Sequence, residues 1–375
     1  MHFETLAIHA GMDTDNNEEN RPVIPPIYTS TIYEHPESGL DSEKYSYIRH
    51  DNPNRKQLET LLTQLESGKA GVAFASGMAA IASVFQALKP GDHVIAPLDV
   101  YHGTRKLLAE FMSEWGLVCS FVDMREPDEI VDAIKPKTKL IWIETPSNPM
   151  LHITDIEYVC KLARQNDVKV CVDNTWMTPI LQQPLTLGAD LVMHSTTKYL
   201  GGHSDILGGA VICAKDDEFY ERIRSIQRLL GSVPSPFDCW LLQRSIRSLP
   251  YRMRGHSENA QKIAEFLENH AKVEAVYYPG LKSHEGHDIA AREMSGFGGM
   301  ISFEYKGSEE AALKVVAKSR LIIRATSLGG VESTWEHRKS SEGALSPTSP
   351  RLIRMSVGLE HPDDLIEDIA QSLED

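Results

Sequence analysis

The sequence predicts a two-part α/β protein: a large domain on a mostly parallel seven-stranded sheet, then a smaller C-terminal α/β domain. Three observations predict it. Short apolar runs near 71–75, 93–97, 117–122, 139–143, 168–172, 190–194 and 208–213 alternate with stretches of helical spacing. Most of these runs are apolar throughout, as in strands covered on both faces. The rhythm changes near residue 238, and 375 residues are enough to bury two cores.

Residues 1–53 read as an irregular arm, because Pro22, Pro25, Pro26 and Pro36 interrupt any helix there. Leu58, Leu61, Leu62 and Leu65 fall at helical spacing, with Asn54 as the expected N-cap and Gly68 as the expected stop. Residues 54–236 then form the large domain. A long helical stretch from Asp238 to His270, kinked near Pro250, opens the small domain at 237–375, with the boundary placed near Pro234–Pro236.

The formal charge of −15 argues against nucleic acid or an anionic membrane as the main partner. No apolar run approaches the ~18 residues of a membrane helix, and residues 1–21 lack a basic-then-apolar leader pattern. Cys119, Cys160, Cys171, Cys213 and Cys239 are scattered and odd in number, as expected of reduced thiols in a cytoplasmic protein. His284-Glu285-Gly286-His287 lacks the spacing of a zinc-binding His-Glu-x-x-His and reads as a turn, so no metal is expected. Gly296-Phe297-Gly298-Gly299 follows no convincing strand, and no Gly-x-Ser-x-Gly occurs.

Chemistry concentrates where apolar runs end. One run leads into Ser195-Thr196-Thr197-Lys198, then a glycine pair. A lysine there can be held partly desolvated and nucleophilic beside an anion. Asp173 ends another run; a carboxylate so placed needs a partner, as an N-cap, a salt bridge or the counter-charge of a protonated pyridine nitrogen. Ser76-Gly77-Met78 sits at a strand-to-helix junction, where backbone N–H groups bind a dianion. Ser195 and Thr197 add hydroxyls. Tyr101 follows the run at 93–97 and can pack in the core or stack on a ring. Arg354, set among apolar residues, suits a bidentate carboxylate, with Arg351 the weaker candidate. Together these are the parts required by pyridoxal 5'-phosphate (PLP), which pairs an imine-forming lysine with an acid and a phosphate cradle.

The chain resembles the trans-sulfuration family of Cys/Met-metabolism PLP enzymes, the cystathionine synthases and lyases. The resemblance runs nearly end to end. It rests on Pro22-Val23-Ile24-Pro25-Pro26-Ile27-Tyr28, Tyr47-Ile48-Arg49 with Asn52-Pro53, Ala75 through Ala80, and Tyr101-His102-Gly103-Thr104. It continues through Glu144-Thr145-Pro146-Ser147-Asn148-Pro149, Val172-Asp173-Asn174-Thr175, Ser195 through Lys198, Ser327 through Ser333, and Arg354-Met355-Ser356-Val357-Gly358.

The resemblance implies an aspartate-aminotransferase-like fold (fold type I) and a set of roles. Lys198 is the expected Schiff-base lysine and, once freed, the base. Asp173 pairs with the pyridine nitrogen, Tyr101 stacks on the ring and Asn148 bonds the ring hydroxyl. Gly77, Met78, Ser195 and Thr197 hold the phosphate, and Tyr47 and Arg49 reach it from a neighbouring subunit. Ser327 and Arg354 hold the substrate carboxylate. A homotetramer of two tight dimers is implied, as is a small amino-acid substrate.

Several positions depart from the family. Ser46 and Thr326 stand where synthases and γ-lyases commonly carry acids that meet the distal ammonium of cystathionine, a contact of about 1.5–3 kcal/mol each. Gly103 stands where methionine γ-lyases have cysteine, and the segment Thr334–Ser340 lacks the usual Pro and Met-Thr-His elements, so Glu336, His337, Arg338 and Lys339 are expected to form a different rim to the substrate mouth. The expected activity is a C–S lyase acting on cystathionine or a related thioether by β- or γ-elimination. A γ-replacement transferase of the cystathionine γ-synthase or O-acylhomoserine sulfhydrylase type is the alternative, and a non-catalytic PLP-binding regulator is a third reading opposed by the intact site.

Overall fold

A computed structural model describes residues 1–12, 22–39, 45–343 and 348–374. Seven strands form the large sheet: β1 Ala70–Phe74, β2 His93–Pro97, β3 Val118–Val122, β4 Thr138–Glu144, β5 Lys169–Asp173, β6 Leu191–His194 and β7 Gly209–Cys213. Their order is β1-β7-β6-β5-β4-β2-β3. Neighbours pair in parallel from β6 to β3, while β7 is antiparallel to both β1 and β6. Only β7 therefore runs against the rest. Six strands send their carboxyl ends to one edge, where ligands bind in open α/β sheets. The apolar runs are buried, with Val94, Trp142 and Cys171 packed on one face and Ile95, Ile141 and Val172 on the other.

The smaller sheet has the order β10-β11-β12-β9-β8, from β8 Val273–Tyr277, β9 Met300–Tyr305, β10 Ile323–Arg324, β11 Thr334–His337 and β12 Leu352–Ser356. Its core packs Ile301, Phe303, Trp335, Ile353 and Met355 against the helices Leu249–Glu268 and Pro362–Leu373.

The arm is not wholly irregular. The helix Phe3–His9 buries Ala7 and packs Phe3 and Leu6 against Leu58 and Leu61. The prolines begin only at residue 22, so nothing prevented a helix before them. Residues 13–21 and 40–44 of the arm lie outside the described residues.

The N-cap of Pro53–Leu65 is Asn52 rather than Asn54, with Pro53 in the first turn, where a missing N–H costs nothing. Asn54 instead fastens the arm: its Oδ1 accepts from the Tyr28 N–H at 2.8 Å and its amide donates to the Pro26 carbonyl at 2.8 Å. That helix ends at Leu65, and Ser67, not Gly68, takes the left-handed turn at φ 59°. Gly68 serves packing, because a Cβ there would meet Ile212 Cγ2 at 2.4 Å. The expected kinked helix is two helices, Pro236–Ile246 and Leu249–Glu268, with Pro250 in the first turn of the second. Cys239, Leu242 and Ile246 of the first pack in the same cluster as Leu58 and Leu62. The described cysteines are all free, and all but Cys119 are buried.

One buried pair fixes the strand that leads into Ser76. Arg224 grips Glu59 bidentately at 2.7 Å on each nitrogen and also donates to the Gly71 carbonyl at 2.7 Å. Glu59 in turn accepts from the Ala73 N–H at 2.9 Å. Arg224→Ala strands a buried carboxylate, so unfolding stability is expected to fall by about 3–5 kcal/mol in denaturant titration; a loss under about 1 kcal/mol would refute this reading of the clamp.

Candidate active site

A cavity of about 440 Å³ opens at the carboxyl edge of the large sheet, and the small sheet supplies one wall. Each large-sheet wall residue follows from topology. Ser76, Gly77 and Met78 follow β1, Tyr101 follows β2, Glu144 and Asn148 come from the end of β4, and Asp173 ends β5. The connection from β6 to its antiparallel neighbour β7 carries Ser195, Thr197 and Lys198. Ser327, in the β10–β11 connection, and Arg354, on β12, reach the cavity from the smaller sheet. Tyr47 and Arg49 do not line it: Arg49 donates to the Arg228 carbonyl at 2.7 Å and lies 5.5 Å from the Tyr47 ring.

Lys198 is the centre of the arrangement. Its Nζ donates to Ser327 Oγ at 2.6 Å. Burial, then the Arg354 charge, lowers its pKa to about 8. Ser327 holds a left-handed φ of 85°, rare for a residue with a side chain. That backbone aims the Ser327 hydroxyl at Lys198 while its carbonyl accepts from Arg354 Nη2 at 3.3 Å. Arg354 Nη1 also donates to Asn148 Oδ1 at 2.8 Å, and burial brings its pKa down to about 10. Arg351 is elsewhere, paired with Glu274 and Glu304.

Asp173 accepts from the Thr175 N–H at 3.0 Å and the Thr175 hydroxyl at 2.5 Å, both on Oδ1. Its Oδ2 accepts no hydrogen bond among the described residues. Burial raises its pKa, against the Thr175 hydrogen bonds and His194, which act the other way. Glu144, directly beside it in the β4–β5 ladder, is raised well above the usual carboxylate range by burial and by Asp173. Glu144 also accepts from the Tyr101 N–H at 2.8 Å.

The helix Gly77–Gln86 points its N-terminus into the cavity, and the N–H groups of Gly77 and Met78 have no partner within the helix. A Cβ on Gly77 would stand 2.8 Å from Ser195 Oγ, so only glycine lets these groups close up. Thr197 lines the cavity with its hydroxyl already exchanged with the Gly208 backbone, at 3.1 and 3.2 Å. Gly103 is also explained locally: a Cβ there would meet Tyr101 Cε1 at 2.5 Å and Met78 Sδ at 3.1 Å. His284 and His287 bond the backbone carbonyls of Leu151 and Pro279.

Sequence reasoning gave no role to Glu144 or Glu342, which also line the cavity, and placed Arg338, a third lining residue, only in a rim of the substrate mouth. Glu144 was visible as a carboxylate ending an apolar run. The other two depend on a strand and a short helix, Arg338–Glu342, that no local pattern announced.

These residues fit PLP. A half-buried, desolvated carboxylate with a free oxygen suits a protonated ring nitrogen, free N–H groups at a helix N-terminus suit a phosphate, and a lysine with a depressed pKa suits an aldehyde.

The family model for Cys/Met metabolism PLP-dependent enzymes matches residues 4–374. The chain is 46% identical to cystathionine gamma-lyase of Bacillus subtilis (strain 168), covering 100% of both chains. It is 45% identical to cystathionine gamma-synthase of Mycobacterium tuberculosis (strain ATCC 25618 / H37Rv), covering 98% of this chain and 96% of that one. The crystal structure of metB from Corynebacterium glutamicum superposes with a TM-score of 0.95 at 45% identity, covering 100% and 98%. With a site chemistry that suits PLP and relatives matched along their whole length, the chain belongs to the Cys/Met metabolism PLP-dependent enzymes and takes that cofactor.

Proposed function

We propose that this enzyme is a carbon–sulfur lyase that cleaves cystathionine, or a related cysteine or homocysteine thioether, by β- or γ-elimination. The Lys198 amine carries this reading: it is half-buried, shifted to about 8 and bonded to Ser327 beside Arg354. Full-length identity to a cystathionine gamma-lyase supports it.

PLP, when bound, takes up the electron pair left on the substrate Cα. Gly77, Met78, Ser195 and Thr197 would hold its phosphate, Asp173 its ring nitrogen, Asn148 its ring hydroxyl, and Tyr101 would stack on the ring. Arg354 and Ser327 hold the substrate α-carboxylate, which fixes Cα relative to Lys198. Lys198 Nζ, held beside Ser327 and Arg354, takes the Cα proton. A leaving group on Cβ departs next; one on Cγ requires a second proton to leave Cβ first. The same side chains serve both routes.

The γ-replacement reading is supported by one finding: a cystathionine gamma-synthase is 45% identical to this chain over 98% of its length. A product assay separates the two. Cystathionine alone is expected to yield ammonia with pyruvate or 2-oxobutyrate. Turnover only when an acylhomoserine and a thiol are supplied together would overturn the lyase.

A cytoplasmic homotetramer belongs to the same proposal, with Tyr47 and Arg49 serving a neighbouring subunit's phosphate site. Both lie outside their own chain's cavity, and Ile32, which bridges to Tyr47, and Leu229, next to the Arg228 that bonds Arg49, expose apolar side chains. Free cysteines suit a reducing compartment. Among the described residues no helix is long and apolar enough to cross a membrane. Arg49→Ala should retain PLP poorly, and mixing it with Lys198→Ala should restore part of the activity in hybrid oligomers; no recovery despite proven subunit exchange would refute the shared site.

A further inference from the structure

Glu336 and Arg354 face each other in the β11–β12 ladder, so both side chains leave the same face of the small sheet. Trp335 and Met355 leave the opposite face into the core. Glu336 Oε1 lies 2.5 Å from Arg354 Nη2, so a carboxylate already occupies the guanidinium assigned to the substrate. The same oxygen accepts from Arg338 Nη1 at 2.7 Å, and Oε2 accepts from the Ser341 hydroxyl at 2.8 Å. Arg338 Nη2 sits 2.8 Å from Glu342, while its Nε is buried with no partner among the described residues. Arg338 is 6% exposed and lines the cavity, at a cost in desolvation that its position must justify.

We propose that Arg338 is a positioning residue for the substrate α-carboxylate, drawing off the negative charge of Glu336 so that Arg354 stays open to a second carboxylate. The inference rests on Arg354 as the α-carboxylate anchor. Two guanidinium groups, Arg338 and Arg354, balance two carboxylates, Glu336 and Glu342, so the substrate meets a neutral corner. Without Arg338 the corner carries two carboxylates against one guanidinium, and it repels the group it must capture. Arg338 sits in the segment that departs from the family's usual run, so the device belongs to this chain's own version of the site.

The test uses the PLP-loaded enzyme and propanoate, a carboxylate with no amine to react. Propanoate binding is read from its perturbation of the visible absorption, alongside KM and kcat for cystathionine. Arg338→Gln is expected to weaken propanoate and raise KM by about tenfold, the size of one partly screened charge contact, with kcat within about twofold. Arg338→Lys should recover most of the loss, and Arg338→Gln combined with Glu336→Gln should return affinity toward the original. Arg354→Gln should weaken propanoate more than any of them.

Unchanged propanoate affinity in Arg338→Gln, with a loss in Arg354→Gln, overturns the role of Arg338 alone. Unchanged affinity in both overturns the Arg354 anchor beneath it. A KM rise confined to substrates with a charged distal group, with propanoate unaffected, overturns it in favour of direct distal contact. If Arg338→Gln does not fold, Glu336→Gln decides: tighter propanoate supports the proposal and weaker propanoate overturns it.

Discussion

Lys198→Ala is expected to abolish C–S cleavage and the visible absorption of the purified enzyme, while leaving the fold intact. The side chain lies in the β6–β7 connection with its amine directed to Ser327 Oγ at 2.6 Å, and the described contacts show it bearing on no core cluster. Truncation therefore removes a nucleophile and base rather than packing. Melting temperature should stay close to the original, and a variant that keeps its colour would show the lysine to be misassigned. The sign of the pH dependence follows from the same environment. A lysine at its ordinary 10.5 is almost wholly protonated at neutrality; at about 8 roughly one amine in ten is free at pH 7. The rate at which cofactor-free protein captures PLP should rise with pH and level off above about 8. A rate still climbing beyond pH 10 would contradict the lowered value.

Asp173→Asn is the second large effect. An amide keeps an oxygen for the Thr175 N–H and hydroxyl at the Oδ1 position, so local geometry survives. It carries no charge to hold a protonated ring nitrogen, and loss of a preorganised electrostatic partner typically costs about 10²–10³ in kcat. Stability should move the other way. Burial raises the Asp173 pKa above its unfolded value, and the adjacent Glu144 is raised by Asp173 in turn. An acid with a raised folded pKa opposes folding at pH values above its unfolded pKa, because the folded state disfavours its ionisation. The cofactor-free Asp173→Asn protein should therefore melt no lower than the original at neutral pH, though turnover collapses. A variant that is less stable and fully active would reverse both signs.

How far the molecule was legible from its sequence depended on the kind of information each part needs. The large-sheet strands were readable because those buried on both faces are written as unbroken apolar runs, with only the edge strand β3 partly exposed, and the run ends then pointed to Ser76, Tyr101, Asp173 and Lys198. The direction of β7 was not readable, since an apolar run carries no sign of which way it pairs. The helix Phe3–His9 was missed because it is short and draws its stability from packing against Leu58 and Leu61 rather than from its own sequence. Asn52 and Asn54 are both good caps by type; only the structure shows that one caps the helix while the other holds the arm. The pairing of Glu336 with Arg354 and Arg338 joins two strands and a helical turn, and no local spacing reports a cross-strand register.

The covalent attachment itself is open to direct observation. Borohydride reduction of the PLP-loaded enzyme followed by peptide mass mapping should place the added cofactor mass on the peptide containing Lys198 and on no other. A reduced protein whose cofactor mass maps to a different lysine, or that carries none, would contradict the site described here.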